Sequence, residues 1–146
     1  EIYNPGGGRN QFFVDTHAVC VLGSGDIKAL TLSDYDIALK PGESKKIAIT
    51  IERTPGFDKN VTLDMLFQHL GSIFGNSLPK GVTLDEKDIK SLLSGSDSQG
   101  HLTLKCAADA PPCYPHVTCV MATVSLNFVL KAPYASKTVR LTVAKP

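Results

Sequence analysis

The sequence predicts an all-β chain, a sandwich of two antiparallel sheets with about seven strands and one short helix in a long connection. Three observations lead there. Apolar residues recur at every second position in segment after segment, the period of a strand that buries one face and wets the other. Proline–glycine turn chemistry falls between those segments. Only one stretch has the residue order of a helix. An open barrel is the rival arrangement for such strands.

Taken along the chain, residues 1–10, with Asn4-Pro5-Gly6-Gly7-Gly8, read as a flexible lead-in, and residues 11–146 as a single domain. Gln11 to Leu22 and Lys28 to Leu39 are rich in β-branched, aromatic and aliphatic residues and predict two strands of imperfect alternation. Lys40-Pro41-Gly42-Glu43 places Pro and Gly at the centre of a type II turn, which leads into the stripe Ile47, Ile49, Ile51. Thr54-Pro55-Gly56-Phe57 repeats that chemistry before Val61, Leu63, Met65 and Phe67.

From Gln68 to Gly100 the periodicity is broken by Gly71, Gly75, Pro79, Gly81 and Gly95, so this segment is expected to be an irregular connection across one end of the sandwich. Within it, Asp85, Glu86 and Asp88 precede Ile89, Leu92 and Leu93, and Gly95 follows, which predicts a short helix over 85–94. Strands resume at Leu102, Leu104, Cys106 and at Val139, Leu141, Val143. The clearest run is Thr118 to Leu130, with Val120, Ala122, Val124, Leu126, Phe128 and Leu130 on one face. That face and the Ile47, Ile49, Ile51 stripe are expected to meet in one core.

Composition narrows the function. Hydrophobic residues at 42% and charged residues at 20% fit a folded domain and exclude a disordered one. Fifteen Lys and Arg against fourteen Asp and Glu leave a net charge of +1, with no basic run longer than Lys45-Lys46, which argues against a nucleic-acid partner. No apolar run approaches the roughly 20 residues of a transmembrane helix. The chain begins at Glu1 and reads as a mature fragment or a domain of something larger.

The even set Cys20, Cys106, Cys113 and Cys119 permits two disulfides and suits an extracytoplasmic location in periplasm, cell surface or medium. Cys113 is expected to bridge to Cys119, slightly preferred, or to Cys106, with Cys20 in any second bridge. The spacings are not those of a zinc site. Asn60-Val61-Thr62 matches the N-glycosylation pattern.

Three local patterns carry a family resemblance: Leu39-Lys40-Pro41-Gly42-Glu43-Ser44 before the isoleucine stripe; Leu78-Pro79-Lys80-Gly81-Val82-Thr83; and Ala107-Ala108-Asp109-Ala110-Pro111-Pro112 before the strand at Thr118. Across residues 36–144 the chain resembles the immunoglobulin-like modules of long bacterial envelope and secreted proteins, especially the pre-peptidase type of planctomycete proteins. The resemblance implies an immunoglobulin-like sandwich with an accessory or spacer role and supplies no catalytic residue. Cys106, Cys113 and Cys119 depart from it, because such modules usually carry small or polar residues there.

Candidate chemistry concentrates in Cys113-Tyr114-Pro115-His116-Val117-Thr118-Cys119-Val120-Met121. It contains C-x2-H-x4-M, the spacing with which cupredoxins offer a thiolate, an imidazole and a thioether to copper, so Cys113, His116 and Met121 are the ligands of an alternative copper-binding electron carrier. His17, His69 or His101 would have to supply a second imidazole. On a straight strand His116 and Met121 have opposite parity and point apart, so no metal or cofactor is expected.

Gly23-Ser24-Gly25-Asp26 lacks the nucleophile-elbow pattern. Asp85, Glu86 and Asp88 lack a calcium-loop frame. A glycan-binding module is a second alternative, weakened by the absence of Trp, with Tyr3, Tyr35, Tyr114 and Tyr134 as the available platforms. Phe67, Leu70 and Phe74 are apolar residues in a glycine-rich segment and either plug an open end or form a contact patch, together with Tyr114. The expected function is a non-catalytic structural or interaction module whose partners are neighbouring domains or subunits. Its contact surface should be the Gln68–Gly100 connection or an exposed strand edge.

Overall fold

The computed structural model describes residues 2–3, 12–13, 25–69, 72–76, 78–127 and 130–145; at 2–3, 12–13 and within 67–76 only the backbone is described. A short pair, β1 (Ile2–Tyr3) and β2 (Phe12–Phe13), comes first. There follow β3 (Ile27–Leu32), β4 (Asp36–Leu39), β5 (Ser44–Arg53), β6 (Val61–Asp64), β7 (Leu66–His69) and β8 (Ser72–Asn76). The remaining strands are β9 (Val82–Leu84), β10 (Leu92–Leu93), β11 (Gln99–Cys106), β12 (Cys113–Thr118), β13 (Met121–Ser125), β14 (Lys131–Ala135) and β15 (Val139–Val143).

The first sheet has the order β3-β5-β11-β9 and is antiparallel throughout. The second layer is not the single sheet expected but two hydrogen-bonded sheets, β10-β6-β13-β14 and β12-β15-β4, carried on one long hairpin in which β13 pairs β14 and β12 pairs β15. The hairpin is interrupted at Cys119 and Val120, where the Val120 N–H donates to Ser136 Oγ (3.0 Å) and the Ser136 N–H donates to Val120 O (2.8 Å). β6 joins β13, β10 joins β6, and β4 lies parallel to β15. With β3, β5, β11 and β9 as strands A, B, E and D, and β6, β12–β13 and β14–β15 as C, F and G, this is the strand order of immunoglobulin-type sandwiches.

The core confirms the alternation read from the sequence. Ile47, Ile49 and Ile51; Val61, Leu63 and Met65; Leu102, Leu104 and Cys106; Val120, Ala122 and Val124; and Val139, Leu141 and Val143 are all buried in a single cluster fed by both sheets. Each aliphatic side chain so buried contributes about 1.5–3 kcal/mol relative to exposure, which is why register in a two-sheet sandwich is tightly specified. The Lys40–Glu43 turn forms as expected, with Gly42 at φ 82° and the Glu43 N–H donating to Lys40 O (3.0 Å). Pro79 to Val82 makes a third turn of this kind, its Val82 N–H reaching Pro79 O at 3.0 Å.

Several expectations need correction. The second layer is not wholly antiparallel, because the chain changes sheets between β3 and β4 and so lays β4 alongside β15 in the same direction. The Gln68–Gly100 connection is not irregular throughout, because it contains short paired strands: a β7–β8 hairpin, then β9 in the first sheet and β10 in the second. Leu126 and Leu130 leave the core stripe, since the chain reverses immediately after Ser125. The Leu126 N–H donates to Leu130 O (3.0 Å), and the two side chains are 55% and 57% exposed.

The helix over 85–94 does not form. The Asp85 N–H donates to Thr103 O (2.8 Å), while the Lys90 N–H donates to His101 O (2.9 Å) and the His101 N–H returns to Lys90 O (3.1 Å), which lays the segment against β11. Asp85 instead closes a local turn, accepting from the Lys87 N–H at Oδ1 (3.0 Å). Tertiary pairing overrides a helical residue order of about two turns, too short to be stable alone. Residues 85–93 therefore form a strap that leaves the first sheet at β9 and enters the second at β10. Gly100 makes the crossing possible, because a Cβ there would lie 2.5 Å from Lys90 O and 2.7 Å from Leu63 Cδ1.

Candidate interaction surface

Both open sides of the sandwich are crossed by chain that switches sheets, β3 to β4 on one and β9 to β10 on the other. Corners of this kind shorten the edges that a foreign strand could join. The remaining edge segments differ in their protection. β3 carries Lys28, β4 carries Asp36 and β14 carries Lys131 and Pro133. Charge and proline on an edge discourage pairing with another chain.

β12 stands apart. Among the described strands it pairs only with β15. Its six residues include no Asp, Glu, Lys or Arg. Tyr114 is 86% exposed and Val117 is 66% exposed. Its one protective device is Pro115, beside a register shift between Cys113 and His116, which leaves the upper half of the strand regular. On the outer face of the sheet Val117 is level with Arg140 and Asp36, whose side chains pair at 2.7 Å (Nε to Oδ1), so an apolar strip borders an ion pair. The Arg140 hydrogen bond and charge hold the Asp36 carboxyl below its usual range.

The strap carries a polar cluster of its own. Asp88 accepts from Lys46 Nζ (2.7 Å) and Thr103 Oγ1 (3.1 Å), and its Oδ1 lies 3.2 Å from His101 Nε2. Lys46, Thr103 and the other donors lower the Asp88 pKa. Every partner is spent on holding the strap to β5 and β11, so the cluster is a fastening. Beside it a cleft of about 480 Å³ opens between the strap and β6, lined by Leu63, Leu78, Val82, Ile89, Asp64 and Glu86.

The other sequence candidates separate. Cys113 and His116 lie on β12 and Met121 on β13, beyond the hairpin interruption. Among the described residues no three His, Cys, Asp or Glu gather as a metal site. Cys106, Cys113 and Cys119 are free thiols, so no disulfide joins any of these three. Cys20, His17, Leu70 and the side chains of Phe67, His69 and Phe74 lie outside the described residues. Sequence reasoning missed Val117, Leu126, Leu130 and the Asp88 fastening. For Val117 the signal was available in the absence of charge from Cys113 to Thr118.

No family model matches the chain, and no curated protein matches it. Among solved structures it is similar to a chain from the "Crystal structure of swine CD8aa homodimer", at 13% identity and a TM-score of 0.44, covering 81% of this chain and 100% of that one. It is similar to a chain from a structure of T cell activation by the bacterial superantigen toxic shock syndrome toxin-1, at 14% identity and a TM-score of 0.44, covering 80% and 98%. It is also similar to domains 4 and 5 of the S-layer protein SbsC, at 10% identity and a TM-score of 0.39, covering 82% and 53%. None of these likenesses carries a function to the chain.

Proposed function

We propose that the domain is a non-catalytic interaction module of a larger extracytoplasmic protein, in the manner of the pre-peptidase-type modules it resembles, and that it docks a neighbouring protein domain or subunit along β12. The observation that supports this is the character of that strand: an edge without charged side chains, presenting Tyr114 and Val117 to solvent, on a sandwich whose open sides are crossed by its own chain. An incoming extended segment would complete the β12 backbone ladder and pack on Tyr114 and Val117, with the Arg140–Asp36 pair at its rim.

The test is Val117→Lys combined with Tyr114→Ala in the whole parent protein. Both positions are exposed, so the melting temperature should stay within the range of ordinary surface substitutions, about 0.5 kcal/mol. Retention of the module in its native assembly on size-exclusion chromatography should fall. A doubly substituted protein that folds and still assembles at wild-type levels would refute the β12 interface.

A further inference from the structure

The E-to-F connection brings two cysteines to the same end of the sandwich. Cys106 closes β11 in the first sheet and Cys113 opens β12 in the second. Residues 107–112 turn back tightly between them, with the Ala110 N–H donating to Ala107 O (3.1 Å) and Ala110 buried against Gly81. Cys106 is a core residue, 1% exposed. Cys113 packs against that core, its Sγ pointing at the carbonyl oxygen of fully buried Leu141 (3.8 Å). Burial raises the Cys106 pKa, and the neighbouring Cys113 adds to that rise. Cys119 follows β12, beyond Thr118, and is not part of this pair.

We propose that Cys106 and Cys113 are an oxidisable pair that closes into an inter-sheet disulfide, stapling the first sheet to the second where the E-to-F connection turns. This goes beyond the docking role and does not depend on it. Half-buried Cys113 is the entry point. Its thiolate attacks one sulfur of an external disulfide, forming a mixed disulfide and releasing one external thiolate, which takes up the Cys113 proton. The Cys106 thiolate then attacks the Cys113 sulfur, the bond to the external group breaks, and the second external thiolate takes up the Cys106 proton. The two cysteines lose two electrons and two protons, and one external disulfide becomes two thiols. Cys106, buried in the core, is the resolving thiol.

Incubating the purified chain with oxidised glutathione, followed by non-reducing digestion and mass spectrometry, tests this directly. The expected product joins the Cys106 and Cys113 peptides, forms equally in Cys119→Ser, and raises the thermal midpoint by about 5–10 °C. Cys106→Ser should halt at a glutathione adduct on Cys113. The proposal is overturned if the wild-type chain accumulates that adduct without resolving it, joins Cys113 to Cys119 or Cys20, or leaves Cys106 and Cys113 unmodified.

Discussion

Gly100→Ala separates two opposite expectations. Gly100 has an ordinary extended backbone within β11, where alanine is tolerated locally, and the loss of unfolded-chain entropy alone would stabilise the protein by about 0.4–1 kcal/mol. The packing says otherwise. An added Cβ would sit 2.5 Å from Lys90 O, 2.7 Å from Leu63 Cδ1 and 3.0 Å from Leu93 Cδ2. Leucine tips can rotate, but the Lys90 oxygen is backbone and moves only with the strap.

Shifting the strap strains both hydrogen bonds between Lys90 and His101, each contributing about 0.5–1.5 kcal/mol. It also disturbs Leu93, which is fully buried. With about 1–3 kcal/mol for the overpacking itself, and less the entropic gain, the expected loss is about 1–5 kcal/mol. Urea unfolding followed by circular dichroism measures it as a lower midpoint at unchanged slope. A Gly100→Ala protein as stable as wild type, or more so, would mean that the strap does not cross Gly100 at this distance.

Other expectations follow from the core and its polar exceptions. Ile49→Ala should destabilise by about 2–5 kcal/mol in the same assay, since Ile49 is buried between the sheets; a loss under about 1 kcal/mol would move it out of the core. Thr118 is buried and its Oγ1 has no hydrogen-bond partner among the described residues, so Thr118→Val should raise stability by about 1 kcal/mol; a clear decrease would show that the hydroxyl is satisfied. Asp34, Asp36 and Asp88 all have lowered pKa values, chiefly through Lys45, Arg140 and Lys46 respectively. Their contribution is therefore present above the unfolded carboxylate value of about 3.9 and lost as pH falls through the depressed native values. Urea midpoints taken down to pH 2.5 should drop over that window, and less steeply in Asp88→Asn.

Period-two alternation was legible wherever a strand is long and one of its faces dry, as in β5, β11 and β15. It failed where the structure depends on distant pairing. Asp85, Glu86 and Asp88 ahead of Ile89 have the local order of a helix start, yet their conformation is decided by β11 and by Lys46 on β5, residues remote in sequence. Alternation also says nothing about where a strand stops. Leu126 and Leu130 keep the parity of Val124, and only Asn127, whose Oδ1 accepts the Leu130 N–H (2.7 Å), hints that the chain reverses there. Parity ranked Cys119 above Cys106 as the partner of Cys113, yet it says nothing of the packing that buries Cys106 in the core and lays Cys113 against it.

The parallel contact of β4 with β15 bears on how the domain answers a pull. Ile27 lies level with Arg53 at the end where β5 finishes, and Val143 lies level with Leu39, just before the turn where β5 begins, so Ile27 and Val143 lie at opposite ends of the sandwich. Traction between those points draws β4 and β15 past each other lengthwise. Their four matched residue pairs, from Arg140 with Asp36 to Val143 with Leu39, then bear load together in shear, and none can be peeled off ahead of the rest. A module strung in series within a longer chain would resist extension at this ladder, and its lifetime under force would be set by the rate at which the ladder ruptures.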